Sequence, residues 1–130
     1  MGVALGVGAI AGQVNAVNQA NNFILAFGTA SAVAVSTETT VVSYATSALK
    51  ATWITQIHCS GQENSKWRLF DGGTAKITQR LGAGQVNMRF DFHTPFKVPA
   101  GPVTIDVKVE HFVTGETPDF EATIMGYVEA

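Results

Sequence analysis

The sequence predicts an all-β protein: an antiparallel β-sandwich, jelly-roll-like, with about eight strands and an extended or partly helical N-terminal arm. Three observations predict this fold. Apolar and polar residues alternate in several runs, most regularly in residues 103–110 and 120–128. Turn residues separate these runs at fairly regular spacing, and no amphipathic helix lies between them. The 130-residue length fits a single domain with one core.

The strands can be placed in order along the chain. The runs with strand character are residues 32–36, 40–44, 51–59, 66–70, 74–77, 86–92, 103–110 and 120–128. The fourth and fifth runs flank the turn Asp71-Gly72-Gly73, whose residues tolerate positive φ, so they are expected to form a hairpin with a bulged turn. Residues 95–102 hold three prolines and are expected to form the connection between the sixth and seventh strands.

The predicted hairpin has one apolar and one basic face. Trp67 and Leu69 point to one side of its first arm, and Lys66 and Arg68 point to the other. A hairpin alone is marginally stable in water, so its apolar face requires a second layer of strands. The alternation therefore predicts two stacked sheets with Trp67 between them.

The N-terminal part of the chain differs in composition from the remainder. Residues 1–37 carry no charged side chain, and every charged residue lies from Glu38 onward. We divide the chain into an assembly arm, residues 1–30, and a β-sandwich domain, residues 31–130, with a short helix possible near residues 10–22. A polar but uncharged arm suits burial between neighbouring subunits. The predicted assembly contacts are the apolar residues Ile10, Val14, Val17, Phe23, Ile24, Leu25 and Phe27.

Composition argues against several classes of partner. Charged residues make up 14% of the chain, mean hydropathy is +0.19 and the net charge is −2, a pattern typical of a self-associating protein without a broad basic field for nucleic acid. Glutamines and asparagines between residues 13 and 22 interrupt the apolar run, so no membrane span is expected. No lysine or arginine precedes Lys50, which argues against a signal peptide.

The residue pattern does not predict catalysis, a metal site or a cofactor. His58, His93 and His111 lack the spacing of zinc ligands, and no serine lies in a nucleophile elbow. His111 shares the inward parity of its strand and is expected to be buried and hydrogen-bonded. Asp91 and His93 are expected to lie side by side on a surface. Cys59 is expected to be a buried, inert thiol, and we predict a non-enzymatic protein.

Several segments together resemble small β-sandwich structural proteins of tailed bacteriophages. These segments are Val41-Val42-Ser43-Tyr44, Ser60-Gly61, Lys66-Trp67-Arg68-Leu69-Phe70, Asp71-Gly72-Gly73, Phe90-Asp91-Phe92, Val98-Pro99-Ala100-Gly101, Val107-Lys108-Val109-Glu110-His111 and Met125-Gly126-Tyr127. The pattern covers roughly residues 38–128 and is similar to phage decoration, cement and fibre-head domains. The resemblance implies an all-β, commonly trimeric protein fixed on the capsid or tail of a virion.

The leading expectation is thus a homotrimeric capsid decoration or cement protein, anchored through its arm to the major capsid protein or other virion proteins. The alternative is a fibre, collar or tail-tip domain that contributes to attachment or binds a host surface glycan. Its exposed-loop candidates are Gln62, Glu63, Asn64, Glu116 and Thr117. A carbohydrate-binding module would present Trp53 or Trp67, although apolar neighbours favour core positions for both.

Overall fold

A computed structural model of the chain describes residues 23–129. These residues form antiparallel strands, and no helix occurs among them. The strands are β1 (Phe23–Ala30), β2 (Thr39–Ala45), β3 (Thr52–Ser60), β4 (Ser65–Asp71), β5 (Thr74–Leu81), β6 (Asn87–Val98), β7 (Thr104–His111) and β8 (Phe120–Val128). The part of the chain described here holds no helix of a length and hydropathy suited to crossing a membrane.

The strands form two four-stranded sheets that stack as a sandwich. Sheet A has the order β1-β8-β3-β6, and sheet B has the order β2-β7-β4-β5. Apart from the β4–β5 hairpin, each strand is followed along the chain by a strand of the other sheet. Two sheets filled alternately in this way have the jelly-roll arrangement. The predicted fold class and strand number are confirmed.

The core lies between the inner faces of the two sheets. Trp67 of β4 and Phe120 of β8 meet edge to face, with ring centroids 5.6 Å apart. Leu69 is also buried, so the predicted inward face of the hairpin is confirmed. The β4–β5 register places Leu69 opposite Ile77 and includes a bulge between Leu69 and Phe70.

The predicted first strand, residues 32–36, is wrong. Those residues form no regular structure, whereas β1 lies at Phe23–Ala30 and pairs along its whole length with β8. Residues 23–30 therefore belong to the sandwich rather than to the predicted arm. The reason is that β1 is apolar at successive positions, so it lacks the alternation on which the prediction relied. Residues 1–22, with the predicted helix and Ile10, Val14 and Val17, lie outside the described residues.

The predicted connection at residues 95–102 is too long, because β6 continues to Val98. Its register with β3 jumps from Asp91 opposite Gln56 to Phe96 opposite Ile54. Pro95 therefore lies in an irregular segment of an edge strand. A proline lacks a backbone N–H, and this position requires none for the ladder.

His111 at the end of β7 is buried, as predicted. Its Nε2 lies 2.8 Å from the carbonyl oxygen of Val33, which can only accept, so Nε2–H is the donor. The N–H of Val113 donates to Nδ1 at 3.3 Å. Both ring nitrogens are thus used to fasten the segment before β2 and the loop after β7, and the prediction of a hydrogen-bonded structural histidine is confirmed.

Candidate functional site

The outer face of sheet A carries side chains from all four strands in cross-strand rows. In the order β1, β8, β3 and β6, the rows are Phe23, Tyr127, Trp53 and Lys97; Leu25, Met125, Gln56 and Asp91; Phe27, Thr123, His58 and Arg89; and Thr29, Glu121, Ser60 and Asn87. The face therefore changes from apolar at the β1 edge to polar and charged at the β6 edge. Each row is fixed by hydrogen-bonded ladders, which makes it a rigid surface.

Strand β1 exposes three large apolar side chains in succession, which we call the apolar strip. Phe23, Leu25 and Phe27 are 54%, 63% and 61% exposed. They are half of the six large exposed apolar side chains among residues 23–129. All three belong to the predicted assembly contacts. Ile24, predicted with them, points inward and is buried, so it is a core residue.

The two tryptophans have different positions. Trp67 is in the core, as expected from its parity. Trp53, expected there too, instead lies half-buried on the outer face of sheet A. Its ring stacks on Tyr127 with centroids 6.3 Å apart, and the Lys97 ammonium lies 5.2 Å from its centroid. The prediction for Trp53 is wrong because a β3 irregularity between Ile54 and Gln56 shifts the register.

A hydrogen-bonded chain of polar side chains crosses β3 and β6. His58 Nε2 lies 2.9 Å from Gln56 Oε1, so the neutral ring carries its proton on Nε2. The Gln56 amide donates to one Asp91 oxygen, and Arg89 Nε donates to the other at 2.9 Å. The hydrogen bond from Gln56, followed by that from Arg89, lowers the pKa of Asp91. His93 is exposed as predicted, but the partners of Asp91 are Gln56 and Arg89.

A cleft of about 400 Å³ lies across the third and fourth rows. Its lining comprises Phe27, His58, Cys59, Ser60, Asn87, Met88, Arg89, Glu121, Ala122 and Thr123. Phe27 forms the apolar wall at the β1 side. The polar part of the lining comprises the Ser60 and Thr123 hydroxyls, the Asn87 amide, the Glu121 carboxylate, the His58 ring and the Arg89 guanidinium. We refer to this feature as the sheet A cleft.

Neither a cluster of metal ligands nor a reactive thiol marks the sheet A cleft among the described residues. Within residues 23–129, no three His, Cys, Asp or Glu residues are grouped as metal ligands. Burial raises the pKa of the Cys59 thiol to about 12, so it stays protonated at neutral pH. The lining combines hydrogen-bonding groups, two of them the charged side chains of Arg89 and Glu121, with the Phe27 ring.

The loops joining β3 to β4, β5 to β6 and β7 to β8 meet at one end of the sandwich. The Gly84 N–H donates to the Glu63 carboxylate, and the Phe112 N–H donates to the Asn64 carbonyl at 2.9 Å. The sheet A cleft lies near this end, and β1 begins at the other, where Phe23 pairs with Tyr127. The predicted loop residues are therefore brought together at one pole: Gln62, Glu63, Asn64, Glu116 and Thr117.

No family model matches this sequence, and no curated protein does either. Several solved structures are similar, and two of them are described here. The insecticidal delta-endotoxin Cry8Ea1 from Bacillus thuringiensis matches with 16% identity and a TM-score of 0.48, over 73% of this chain and 19% of the toxin. The CBM36-1 domain of a multidomain xylanase from the hindgut metagenome of Trinervitermes trinervoides matches with 12% identity and a TM-score of 0.44, over 84% of this chain and 98% of that domain. Similarity at this level says nothing of what the chain binds.

Proposed function

We propose that this protein is a non-enzymatic structural component of a virion, a homotrimeric capsid decoration or cement protein that associates through the apolar strip. The observation that carries the proposal is the row of Phe23, Leu25 and Phe27, more than half exposed on an edge strand. We place the protein in a virion because residues 38–128 resemble structural proteins of tailed bacteriophages.

An exposed row of this kind favours association on energetic grounds. Burying a large apolar side chain completely contributes about 1.5–3 kcal/mol. Three such side chains on adjacent outward positions of β1 form a contiguous surface, and contiguous apolar surface marks interaction sites. Within residues 23–129, β1 is also an end strand of sheet A, and the edge of a sheet offers backbone donors and acceptors with which a neighbouring subunit can pair.

The uncharged composition of residues 1–37 supports the same proposal. Charged groups are costly to remove from water, and this part of the chain has none to remove. The strip lies at the start of the described sandwich and continues the uncharged part of the chain. A subunit that covered both would bury apolar and neutral polar groups only.

The first experiment measures the mass of the full chain in solution by analytical ultracentrifugation. We expect a trimer for the wild type and a monomer for the variant Phe23→Ser, Leu25→Ser, Phe27→Ser. The matched control, Leu49→Ser with Val86→Ser, replaces two other exposed apolar residues and should remain trimeric. A monomeric wild type, or a triple variant that stays trimeric, would contradict association through the strip.

The second experiment tests the virion setting. Quantitative mass spectrometry of purified particles should find the protein at hundreds of copies if it decorates capsids. The triple strip variant should be absent from particles while remaining folded, judged by its near-ultraviolet circular dichroism. Particles without the protein would overturn the virion assignment.

A second candidate is a fibre, collar or tail-tip domain that takes part in host attachment. The observation that favours it is the gathering of Asn64, Glu116 and the neighbouring loops at the pole opposite the start of β1. Loops on a rigid sandwich commonly carry recognition. The same mass-spectrometric measurement separates the two, because a tail component occurs in about a dozen copies, as expected for small cyclic assemblies.

A further inference from the structure

We propose that the sheet A cleft binds an uncharged saccharide. The inference rests on the geometry and chemistry of the cleft and goes beyond the proposed structural role. The cleft is a surface that a single chain already forms, and because Phe27 belongs to both the cleft and the apolar strip, the inference applies to the chain that is not associated through the strip.

The first argument is the apolar wall. The Phe27 ring is 61% exposed and borders the cleft at its β1 side. The face of an aromatic ring carries negative charge and attracts weakly positive C–H groups. The C–H face of a sugar ring offers such groups. A volume of about 400 Å³ is within the range of small-ligand sites and suits a ligand of one or two rings.

The second argument is the type of polar group opposite this wall. Ser60 and Thr123 offer hydroxyls that both donate and accept, Asn87 offers an amide, and Glu121 offers an acceptor carboxylate. None of these four side chains is engaged in a hydrogen bond with another group of the described sandwich. Sugar hydroxyls donate and accept as well, so a polyol can satisfy such a mixed set.

The third argument is charge. Arg89 lines the cleft, and its charge is balanced by Asp91, which accepts a hydrogen bond from Arg89 Nε at 2.9 Å. Glu121 then leaves the cleft with one negative charge, which disfavours phosphate, sulfate and carboxylate ligands. A single exposed carboxylate also binds cations weakly, because exposed ion pairs contribute little. An uncharged hydroxylated ligand can use the hydroxyl, amide and carboxylate groups of the cleft without supplying a charge.

The fourth argument is rigidity. Ser60, His58 and their neighbours lie on β3, which is paired on both sides, with β8 and with β6. The His58–Gln56–Asp91–Arg89 chain of hydrogen bonds further fixes one wall. Groups held in place before binding lose little entropy when the ligand arrives.

The test is a titration of the ¹⁵N-labelled full chain carrying Phe23→Ser and Leu25→Ser, followed by nuclear magnetic resonance. These two changes weaken association through the apolar strip and leave every residue of the cleft in place. The probes are neutral oligosaccharides of glucose, galactose, mannose or N-acetylglucosamine, with polygalacturonate and oligolysine as charged probes. We expect saturable shifts of the Ser60, Asn87 and Thr123 amides with at least one neutral probe. The amides of β4 and β5 should not shift.

Variants make the test specific. Asn87→Ala and Glu121→Ala each remove an exposed hydrogen-bonding group, so both should fold and should weaken binding about tenfold. Thr78→Ala, on the exposed outer side of sheet B, is the control and should bind as the double variant does. Phe27 is left unchanged because it also belongs to the apolar strip.

Three results would overturn the inference: no saturable shift with any neutral probe, tighter binding of polygalacturonate or oligolysine, or shifts confined to sheet B. Unchanged affinity in both cleft variants would overturn it as well. None of these results bears on the proposed structural role, which is tested by the mass of the assembly and the composition of particles.

Discussion

Phe70 on the outer face of sheet B and Phe27 on the outer face of sheet A differ in how far their own chain covers them. On sheet B, Phe70 is only 8% exposed although it points away from the core, because the Arg68 guanidinium and the Lys108 ammonium lie 5.0 and 4.5 Å from its ring centroid. On sheet A, Phe27 is 61% exposed. The same residue type is therefore covered by its own chain on one face and left open on the other.

The charges on sheet B are also paired within the chain. Arg68 binds Glu38 through two nitrogens at 2.8 and 3.1 Å, and Lys66 lies 3.3 Å from Glu110. Removing these ion pairs from water would raise the free energy of an assembly, whereas burying the apolar strip would lower it. The difference favours sheet A over sheet B as the site of the proposed association.

The sharpest test of this contrast substitutes one phenylalanine on each outer face. Phe70→Ala should lower the free energy of unfolding by about 3 kcal/mol, because a nearly buried ring and two cation–π contacts are lost. Phe27→Ala should change the stability of the dilute monomer by less than about 0.5 kcal/mol. Urea unfolding followed by tryptophan fluorescence measures both. Equal losses at the two positions would contradict the distinction between the faces.

The next test concerns the place where the edges of the two sheets meet. A Cβ on Gly28 of β1 would lie 2.1 Å from the Val41 carbonyl oxygen and 2.8 Å from Val42 in β2. Gly28→Ala should therefore push the edges apart and cost about 2 kcal/mol of stability. Gly82→Ala is the matched control, since its Cβ meets only Gln85 at 3.6 Å. An unaltered melting temperature for Gly28→Ala would show that the edges do not approach so closely.

The sequence was informative where one face of a strand is wet. In β7, Ile105, Val107 and Val109 alternate with polar residues, and the structure buries all three. The same alternation in β4 and β8 led to the correct fold class. Alternation reports burial on one side only, so it predicts a strand when the other side faces water.

The sequence misled where that condition fails. Strand β1 is apolar on both sides, so no alternation marked it. In β3, Trp53 has the sequence parity of Ile57 and Cys59, which are buried, and a register shift between Ile54 and Gln56 places Trp53 on the opposite face. One extra residue in a strand reverses the direction of the side chains on one side of it relative to those on the other. The composition of β3 does not predict where this residue lies.

The sheet A cleft could not be predicted for a different reason. Its polar groups come from β3, β6 and β8, which are neighbours in the sheet but distant in sequence. Only the strand order brings Ser60, Asn87 and Glu121 into one row. The apolar strip, in contrast, is a local feature, so its three residues could be named from the sequence alone, although their assembly contacts stay a prediction.

A smaller effect on stability is expected from buried side-chain polar atoms that lack a hydrogen-bond partner. Within residues 23–129, each sheet holds one such atom. Among the described residues, Thr52 Oγ1 on β3 and Trp67 Nε1 on β4 are buried without a hydrogen-bond partner. Thr52→Val removes the hydroxyl with little change in shape and should raise the free energy of unfolding by about 1 kcal/mol. Chemical denaturation measures the free energy of unfolding, and Thr78→Val, on the exposed side of sheet B, is the control. A loss of stability would show that the hydroxyl is satisfied after all.

The smallest effects are expected on the pH dependence of the free energy of unfolding. They allow one carboxylate on each outer face to be compared. The hydrogen bond from Arg68 lowers the pKa of Glu38 below its ordinary value of 4.5, so the pair stabilises the fold above that pH and is lost as pH falls through the lowered pKa. Glu38→Gln should cost at most about 1 kcal/mol at neutral pH, and this difference should vanish in acid. Glu116→Gln, on an exposed loop, should cost nothing at either pH.

The matching substitution on sheet A is Asp91→Asn. The pKa of Asp91 is lowered as well, first by the hydrogen bond from Gln56, so its contribution also disappears in acid. Because Arg89 and Asp91 are both more exposed than Arg68 and Glu38, water screens their pair more strongly and the loss at neutral pH should be smaller. Parallel urea titrations at neutral and acidic pH compare the two. A larger loss for Asp91→Asn would mean that sheet A depends on its own polar network for stability, which would weaken the preference for sheet A as the site of the proposed association.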